Sequence, residues 1–434
     1  MKIIQIPFCF YPDPPGGTEV YVEALSRALR DQGLDIVIAA PAKEERVYTY
    51  NRLKVIRFAV SDELRLDQLY GKADPMALEG LNRILDNENP DILHLHAFTP
   101  STSSQLFSLA KKKGIKAFFT YHTPTASCQR GTLMYLGKEV CDGRLKARRC
   151  SKCKLQGLGL NLLTAAMMGS IPHFAAKALA GAGLTGGAWT ALRMSELVSY
   201  NHDAFYRLLS EADQIVAVCD WAKALLIRNG VSRDKVTVIR QGLCHDIPER
   251  VNLPEQKNSV LNLAYFGRIH PTKGIDIIIT ALKRIPKLPV RLDLYGILQG
   301  DDEYYKGLLT MSADEPRITF KEPVPAEKTI EILQNYDFLI VPSQWMETGP
   351  MVILEAFAAG VPVIASRLGG IAEIVSDEIN GILIEPRDLN AWAGAIERCF
   401  NDRTLRKKLQ RGIEKPKPMD YVASEMKKLY LPAA

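Results

Sequence analysis

DFLIVPSQWMETGPMVILEAFAAG, residues Asp337–Gly360, reads as a strand, a turn and a helix. DFLIVPS is a short apolar run that predicts a buried strand, and MVILEAFAAG carries helical spacing up to a glycine stop. Between them, Thr348 or Gly349 is placed to cap the helix, and Pro350 suits its first turn because that position needs no N–H. The free N–H groups of the turn make a site for phosphate. Glu347 stands just before the turn and Glu355 inside the helix. At the usual rise Glu355 lies roughly 7.5 Å along the axis, so the two carboxylates are poorly placed to reach the same atoms. A clamp fits that spacing better than an acid–base pair: a diphosphate at the helix end, ribose hydroxyls on Glu355 and a sugar on Glu347.

The alternation runs outward in both directions. VLNLAYFGRI, GIDIIITALKRIP, VRLDLYG, RITFK and AEKTIEILQNY precede the opening stretch, and PVIAS, GILIE and LNAWAGAIERCFND follow it. The first half repeats the rhythm from KIIQIP and GGTEVYVEALSRALRDQG to KAFFTYH, and again from ADQIVAVC to KVTVIRQG. Such repeats predict parallel sheets with helices on both faces. The polar stretch Cys244–Ser259 lacks periodicity and reads as a linker. With 434 residues, one ordinary core is too small a container. The expected fold is therefore α/β, with two doubly wound Rossmann-like domains facing a cleft. The predicted bounds are 1–243, a linker at 244–259, a second domain at 260–415 and a C-terminal helix at 416–434.

The first half is interrupted at about 121–197. One part is basic and cysteine-bearing. The other, Gly157–Met194, is poor in charge and rich in Ala, Gly and Leu. Gly and Pro break it up, which argues against a single transmembrane helix. The plain reading is one or two buried helices. The functional reading is an apolar lip that touches a membrane or a lipid-linked acceptor.

Composition narrows the function classes. Hydrophobic residues make up 47% and charged residues 24%, as in soluble globular proteins. The formal net charge of +6 is a mild excess, suited to anionic substrates or an anionic membrane surface. It supports no nucleic-acid partner. The opening MKIIQIPFCF has too short an apolar run for a signal peptide and reads as a first buried strand, so a cytoplasmic location is expected, peripheral at the inner face of the membrane.

Two further motifs bear on anions. Gly16 and Gly17 lie between YPDPP and a helix, where glycine lets backbone N–H groups approach an anion. No GxGxxG is present to support a nicotinamide dinucleotide. In GRIHPTKG, Arg268 ends a strand and Lys273 precedes a helix, so a planar fork and a point charge can converge on one diphosphate.

GRIHPTKG, DFLIVPS, the ETGPMVILE element, GVPVIASRLGGIAEIV and NGILIEP resemble, in this order, the second domain of the retaining glycosyltransferases of family 4, which have the two-domain GT-B fold. GGTE and VIRQG match their first half. The resemblance covers most of the chain apart from the interruption. It implies that Arg268 and Lys273 bind the donor diphosphate, that Glu355 binds ribose and that Glu347 contacts the donor sugar. It also implies that the backbone from Gly349 to Val352, through Pro350 and Met351 and beside Thr348, holds sugar and phosphate. Gly16 and Gly17 would close over the donor, and His122 in TYHT would face the transferring sugar. The last helix would cross back to the first domain.

The implied chemistry is retaining and needs no metal or other cofactor for catalysis. Arg268, Lys273 and the helix end would stabilise the charge on the departing diphosphate. No carboxylate stands out as the nucleophile that a retaining glycosidase would use. Attack from the same face is implied instead, with the leaving phosphate helping to remove the acceptor's proton. The partners implied are a nucleotide-sugar donor and a polysaccharide or other glycan, or a lipid-linked acceptor. Gln241 stands where many family members have Asn, and YGILQG replaces a GDG-like turn, which leaves UDP, GDP and ADP open. A nucleotide-sugar 2-epimerase of the same fold and a non-catalytic zinc- and anion-binding scaffold are the alternatives.

Cys150 and Cys153 form CxxC, with Cys128 and Cys141 upstream. Four thiolates complete a tetrahedral structural zinc site, which is one reading of the cluster. Free thiols and disulfides are the others. The neighbouring Arg144, Lys146, Arg148, Arg149, Lys152 and Lys154 are expected to favour thiolates.

Overall fold

Strands made of unbroken apolar runs are satisfied only where both faces of their sheet are covered. The structure, a computed structural model, meets that demand in two units, residues 1–240 with 419–434 and residues 241–418. It describes residues 1–14, 16–181, 186–245, 259–298 and 302–431. The expected linker therefore lies almost wholly outside the described residues, as do the last two residues of YGILQG.

The first unit carries strands β1 (Lys2–Ile6), β2 (Asp35–Ala42), β3 (Arg46–Tyr50), β4 (Leu53–Ala59), β5 (Ile92–Leu95) and β6 (Lys116–Tyr121). A small hairpin of β7 (Met134–Tyr135) and β8 (Glu139–Val140) follows, then β9 (Gln214–Ala217) and β10 (Val236–Val238). The large sheet has the order β10-β9-β6-β5-β1-β2-β4-β3, parallel except for the edge strand β3. Strand order reverses at β1, the switch point of a doubly wound sheet, where ligands bind beyond the strand C-terminal ends. The β3–β4 hairpin is absent from the sequence reading. Its turn is Asn51-Arg52, both at positive φ, without the glycine that marks most such turns.

The second unit has β11 (Leu261–Ile269), β12 (Val290–Leu298), β13 (Ile318–Lys321), β14 (Phe338–Val341), β15 (Val363–Ser366) and β16 (Gly381–Ile384). Their order is β13-β12-β11-β14-β15-β16, all parallel. β14 shows why its run is continuous. Phe338 and Ile340 enter a core with Leu263, Ile279 and Trp392, while Leu339 and Val341 enter another with Ile353 and Phe357.

Within the interruption lie the helix Ala147–Gly157, which bears Cys150 and Cys153, and the short helices Leu162–Met168, His173–Gly181 and Gly187–Leu192. Leu155, Ala165, Ala191, Met194 and Val198 bury a small core beneath them. The helices are not buried throughout: Leu163, Met167 and Phe174 are each at least 75% exposed. Among the described residues no helix is long and apolar enough to cross a membrane. The C-terminal helix Met419–Tyr430 lies against the first helix, Gly17–Asp31. Gln32 Nε2 donates to the Asp420 carbonyl at 2.9 Å, and Lys427 Nζ to the Gln32 carbonyl at 2.6 Å.

Candidate functional site

In the second unit, β11 delivers Arg268 next to its C-terminal end, and a single 3-10 turn, Pro271–Lys273, carries the chain to the helix Ile275–Lys283. That turn is locked to the loop after β14, because Gln344 N–H donates to the Thr272 carbonyl at 2.7 Å. Gly274 makes the approach: its φ is +70°, and a Cβ there would fall 2.1 Å from the Pro342 carbonyl oxygen. The result brings Lys273 onto Glu347. Lys273 Nζ lies 2.5 Å from Glu347 Oε1 and 5.4 Å from the centre of the Trp345 ring. Ser343 Oγ donates to the same carboxylate oxygen at 2.8 Å.

Glu347 is buried, which by itself would push its carboxyl up. The Lys273 charge and hydrogen bond, with Ser343, outweigh this and hold it below the usual carboxylate range. Tyr265 keeps its proton because burial raises its phenol well above the ordinary value. Its hydroxyl donates to the Arg268 carbonyl at 2.7 Å and so fixes the strand end that bears the guanidinium.

The helix after Glu347 begins at Met351 and ends at Ala359. Its N-cap is Pro350, not Thr348 or Gly349, and no side chain caps it. Proline's restricted φ suits this entry, and it brings no side-chain oxygen to the first turn, although its carbonyl accepts the Ile353 N–H at 3.0 Å. Gly349 permits a close approach from Gln241, whose Oε1 would stand 2.7 Å from a Cβ at that position. Gln241 therefore lies against the loop that carries Thr348 and Gly349. Glu355 is buried one turn further along, and burial alone raises its carboxyl to about 7. The two acids of the element thus differ in kind: Glu347 is held as an anion by a cation, whereas Glu355 titrates near neutrality.

In the first unit, Gly16 and Gly17 open the first helix, and the Glu19 carboxylate accepts the Gly16 N–H at 2.9 Å. His122 follows β6 and is buried. Tyr21, one turn into the first helix, packs edge-on to the His122 ring at 5.0 Å, which brings the glycine loop's helix and His122 together. The sequence reading passed over His94, His96, Gln5 and Tyr430, although they form one buried network with His122. The available signal was His94 and His96 inside DILHLHA, two polar rings on one face of an otherwise apolar strand.

Cys128, Cys141, Cys150 and Cys153 all line one cavity, together with Arg130, Met134, Tyr135 and Arg149. All four are free thiols. Cys150 and Cys153 share a face of their helix, and Cys153 Sγ accepts the Leu136 N–H at 3.2 Å from the β7–β8 hairpin. Burial pushes Cys150 up to about 12 and also raises Cys141 and Cys153; Arg149 favours the thiolates of Cys141 and Cys153, as expected of the basic neighbours, but burial outweighs it. Arg149 also pairs with Asp142 at 2.6 Å. Among the described residues, no group of three or more His, Cys, Asp or Glu is arranged to hold a metal ion.

Comparison with known proteins joins these observations. The family described as glycosyl transferases group 1 matches residues 246–415, and glycosyltransferase family 4 matches residues 15–149. A D-inositol 3-phosphate glycosyltransferase from Nocardia farcinica is 29% identical over 213 residues, 45% of this chain and 47% of that protein. One from Stackebrandtia nassauensis is 30% identical over 234 residues, 48% of this chain and 50% of that protein. The chain thus spans about half the length of the curated relatives it matches. Sucrose-phosphate synthase from Thermosynechococcus elongatus superposes with a TM-score of 0.69 at 21% identity, over 99% of this chain and 98% of that one. HepE of Anabaena, solved in complex with UDP and glucose, superposes with a TM-score of 0.63 at 17% identity, over 98% of each chain. With both sheets built as doubly wound parallel layers and both family matches in place, this chain belongs to glycosyltransferase family 4 and has the GT-B fold.

Proposed function

We propose that this chain transfers a sugar, with retention and without a divalent metal, from a nucleoside diphosphate donor to a glycan or lipid-linked acceptor. The observation that carries the reading is the Lys273–Glu347 pair beside a helix N-terminus that no side chain caps. Arg268, Lys273 and the first-turn N–H groups meet the negative charge that grows on the departing diphosphate, the task a metal serves elsewhere. The bond from the anomeric carbon to the diphosphate breaks, and the acceptor oxygen forms its bond on the same face. The acceptor's proton passes to a phosphate oxygen. Glu347 is engaged by Lys273 and Ser343, which suits a group that orients sugar hydroxyls better than a nucleophile. Glu355 would accept the ribose hydroxyls.

A thermal-shift panel of UDP-, GDP- and ADP-sugars identifies the donor, since a ligand that binds the native state raises its melting temperature. UDP-glucose leads the panel because of the HepE complexes. Proton NMR of the product with an acceptor then reads the anomer, with and without EDTA. Retention and full activity in EDTA are expected. An inverted product, loss of activity in EDTA, or epimerised donor without any transfer would overturn the reading.

The acceptor side is proposed to work at an anionic membrane surface. Leu163, Met167 and Phe174 are exposed on two short helices, and the neighbouring helix Ala147–Gly157 carries Arg148, Arg149, Lys152 and Lys154. Exposed apolar side chains beside cations favour a charged interface. Wild-type protein is expected to co-sediment with phosphatidylglycerol vesicles at low salt. Leu163→Glu with Phe174→Glu should lower the bound fraction about tenfold or more, with an unchanged melting temperature. Equal binding of both proteins would contradict the assignment.

A structural zinc is proposed for the four-cysteine cavity, whose thiols are not arranged as ligands in this structure and would have to close around the ion on binding. An ion there would tie the segment after β6, the β7–β8 hairpin and the cysteine-bearing helix, and it would supply the positive charge that buried thiolates need. Elemental analysis of protein purified without added metal is expected to find about one zinc per chain, and none in the Cys150→Ser, Cys153→Ser double variant. Absence of metal from the wild type, including after zinc is supplied under reducing conditions, would refute it.

A further inference from the structure

Five hydrogen bonds form an unbroken buried chain through the first unit. His122 Nε2 lies 2.9 Å from His96 Nδ1, and His96 Nε2 lies 2.6 Å from Gln5 Oε1. Gln5 Nε2 lies 3.2 Å from the Tyr430 hydroxyl, which lies 2.6 Å from His94 Nδ1. His94 Nε2 ends the chain on Thr120 Oγ1 at 2.8 Å. It runs across β6, β5 and β1 to the last residue of the C-terminal helix, and every member is buried.

Each bond needs one donor and one acceptor, so the protons along the chain are not independent. The rings are neutral. Burial lowers His94 and His122 to about 3 and His96 well below its ordinary value. Neutral rings leave two global arrangements, related by reversing every bond and turning the Gln5 amide over. Tyr430 breaks the tie. A phenol is a stronger donor than acceptor, and an imidazole nitrogen is the more basic of its two neighbours. The Tyr430 proton therefore belongs on the 2.6 Å bond to His94, not on the 3.2 Å bond to Gln5. Gln5 must then donate to Tyr430 through Nε2 and offer Oε1 to His96. His96 donates from Nε2 and accepts at Nδ1, and His122 donates from Nε2.

We propose that Tyr430, acting through Gln5 and His96, is a positioning residue that fixes His122 as the tautomer protonated on Nε2 and bare on Nδ1. Its consequence for transfer rests on the role that the family resemblance implies for His122, beside the transferring sugar. The C-terminal helix thereby sets the chemical state of a residue 308 positions earlier in the chain.

The test is nitrogen NMR of the full-length protein labelled with 15N in its histidine rings, where protonated and bare ring nitrogens are well separated. The His122 pair is assigned by its loss in His122→Phe. In the wild type, a protonated Nε2 and a bare Nδ1 are expected. In Tyr430→Phe the two His122 signals should move toward each other as the tautomers mix, and kcat for transfer should fall about tenfold or more with KM little changed. Gln5→Leu should do the same and serves if Tyr430→Phe melts early. A wild-type His122 protonated on Nδ1, or ring shifts unmoved in both variants, would overturn the proposal. If the shifts move and kcat does not, the relay stands and the sugar-facing role of His122 falls.

Discussion

Replacing Lys273 with alanine is expected to slow sugar transfer by about 100- to 1000-fold and to destabilise the second unit by about 3–5 kcal/mol. Both losses come from one atom. Lys273 Nζ balances the buried Glu347 carboxylate in the resting protein, and in the reaction it faces the charge growing on the diphosphate. Removing it leaves an uncompensated buried anion. The pH dependence separates this from ordinary truncation. In the wild type Glu347 is held below its unfolded value, so its contribution is present above the carboxylate range and lost as pH falls through the folded value. In the variant the Ser343 hydrogen bond remains but the Lys273 charge is gone, so burial holds the carboxyl higher than in the wild type and the variant should lose less stability on acidification. Urea denaturation at pH 7 and pH 4 reads both slopes. Adding Glu347→Gln should restore much of the stability and none of the rate, because the buried charge is gone while the catalytic cation is still missing. A double variant that recovers the rate would show that Lys273 acts only by holding Glu347.

Glu355→Gln is expected to show the reverse: a more stable protein that binds its donor poorly. Burial raises Glu355 to about 7 from an ordinary 4.5, so the native state holds its proton more tightly than the unfolded chain across that interval. Stability therefore falls as pH rises from 4.5 to about 7, and above that range the folded protein carries the whole cost of a buried carboxylate. Glutamine removes it and should add about 3 kcal/mol at pH 8. Donor affinity should fall about 10- to 100-fold, the usual loss when a charged acceptor of hydrogen bonds goes. In the wild type, affinity should rise with pH through neutrality as the carboxylate forms, and in the variant it should be flat. Calorimetric titration with the nucleoside diphosphate alone checks this without any turnover. Unchanged affinity in Glu355→Gln would remove Glu355 from the donor site.

The two carboxylates illustrate a wider division. Their spacing, the Gly-Pro turn and the helix that follows were legible in ETGPMVILE, because a helix start depends on a few adjacent residues. Their different states were not. Glu347 is anionic because Lys273, 74 positions away, is brought to it, and Glu355 titrates near neutrality because burial raises its carboxyl. The same holds for the cysteines. Their clustering could be counted, but burial, which sets the thiols against ionisation, comes from the elements that enclose them. The β3–β4 hairpin was missed for a local reason, a turn built from Asn51 and Arg52 without glycine.

By itself the sequence determined the alternation of strand and helix, the doubly wound class and the glycine, proline and charged residues at the strand ends. These follow from periods of two and 3.6 and from backbone chemistry within a turn or two. The tertiary structure alone decided which side chains meet: Lys273 with Glu347, Gln241 with Gly349, and Tyr430 with His94 across 336 positions. Those meetings depend on strand order and register between distant segments, which no local period encodes.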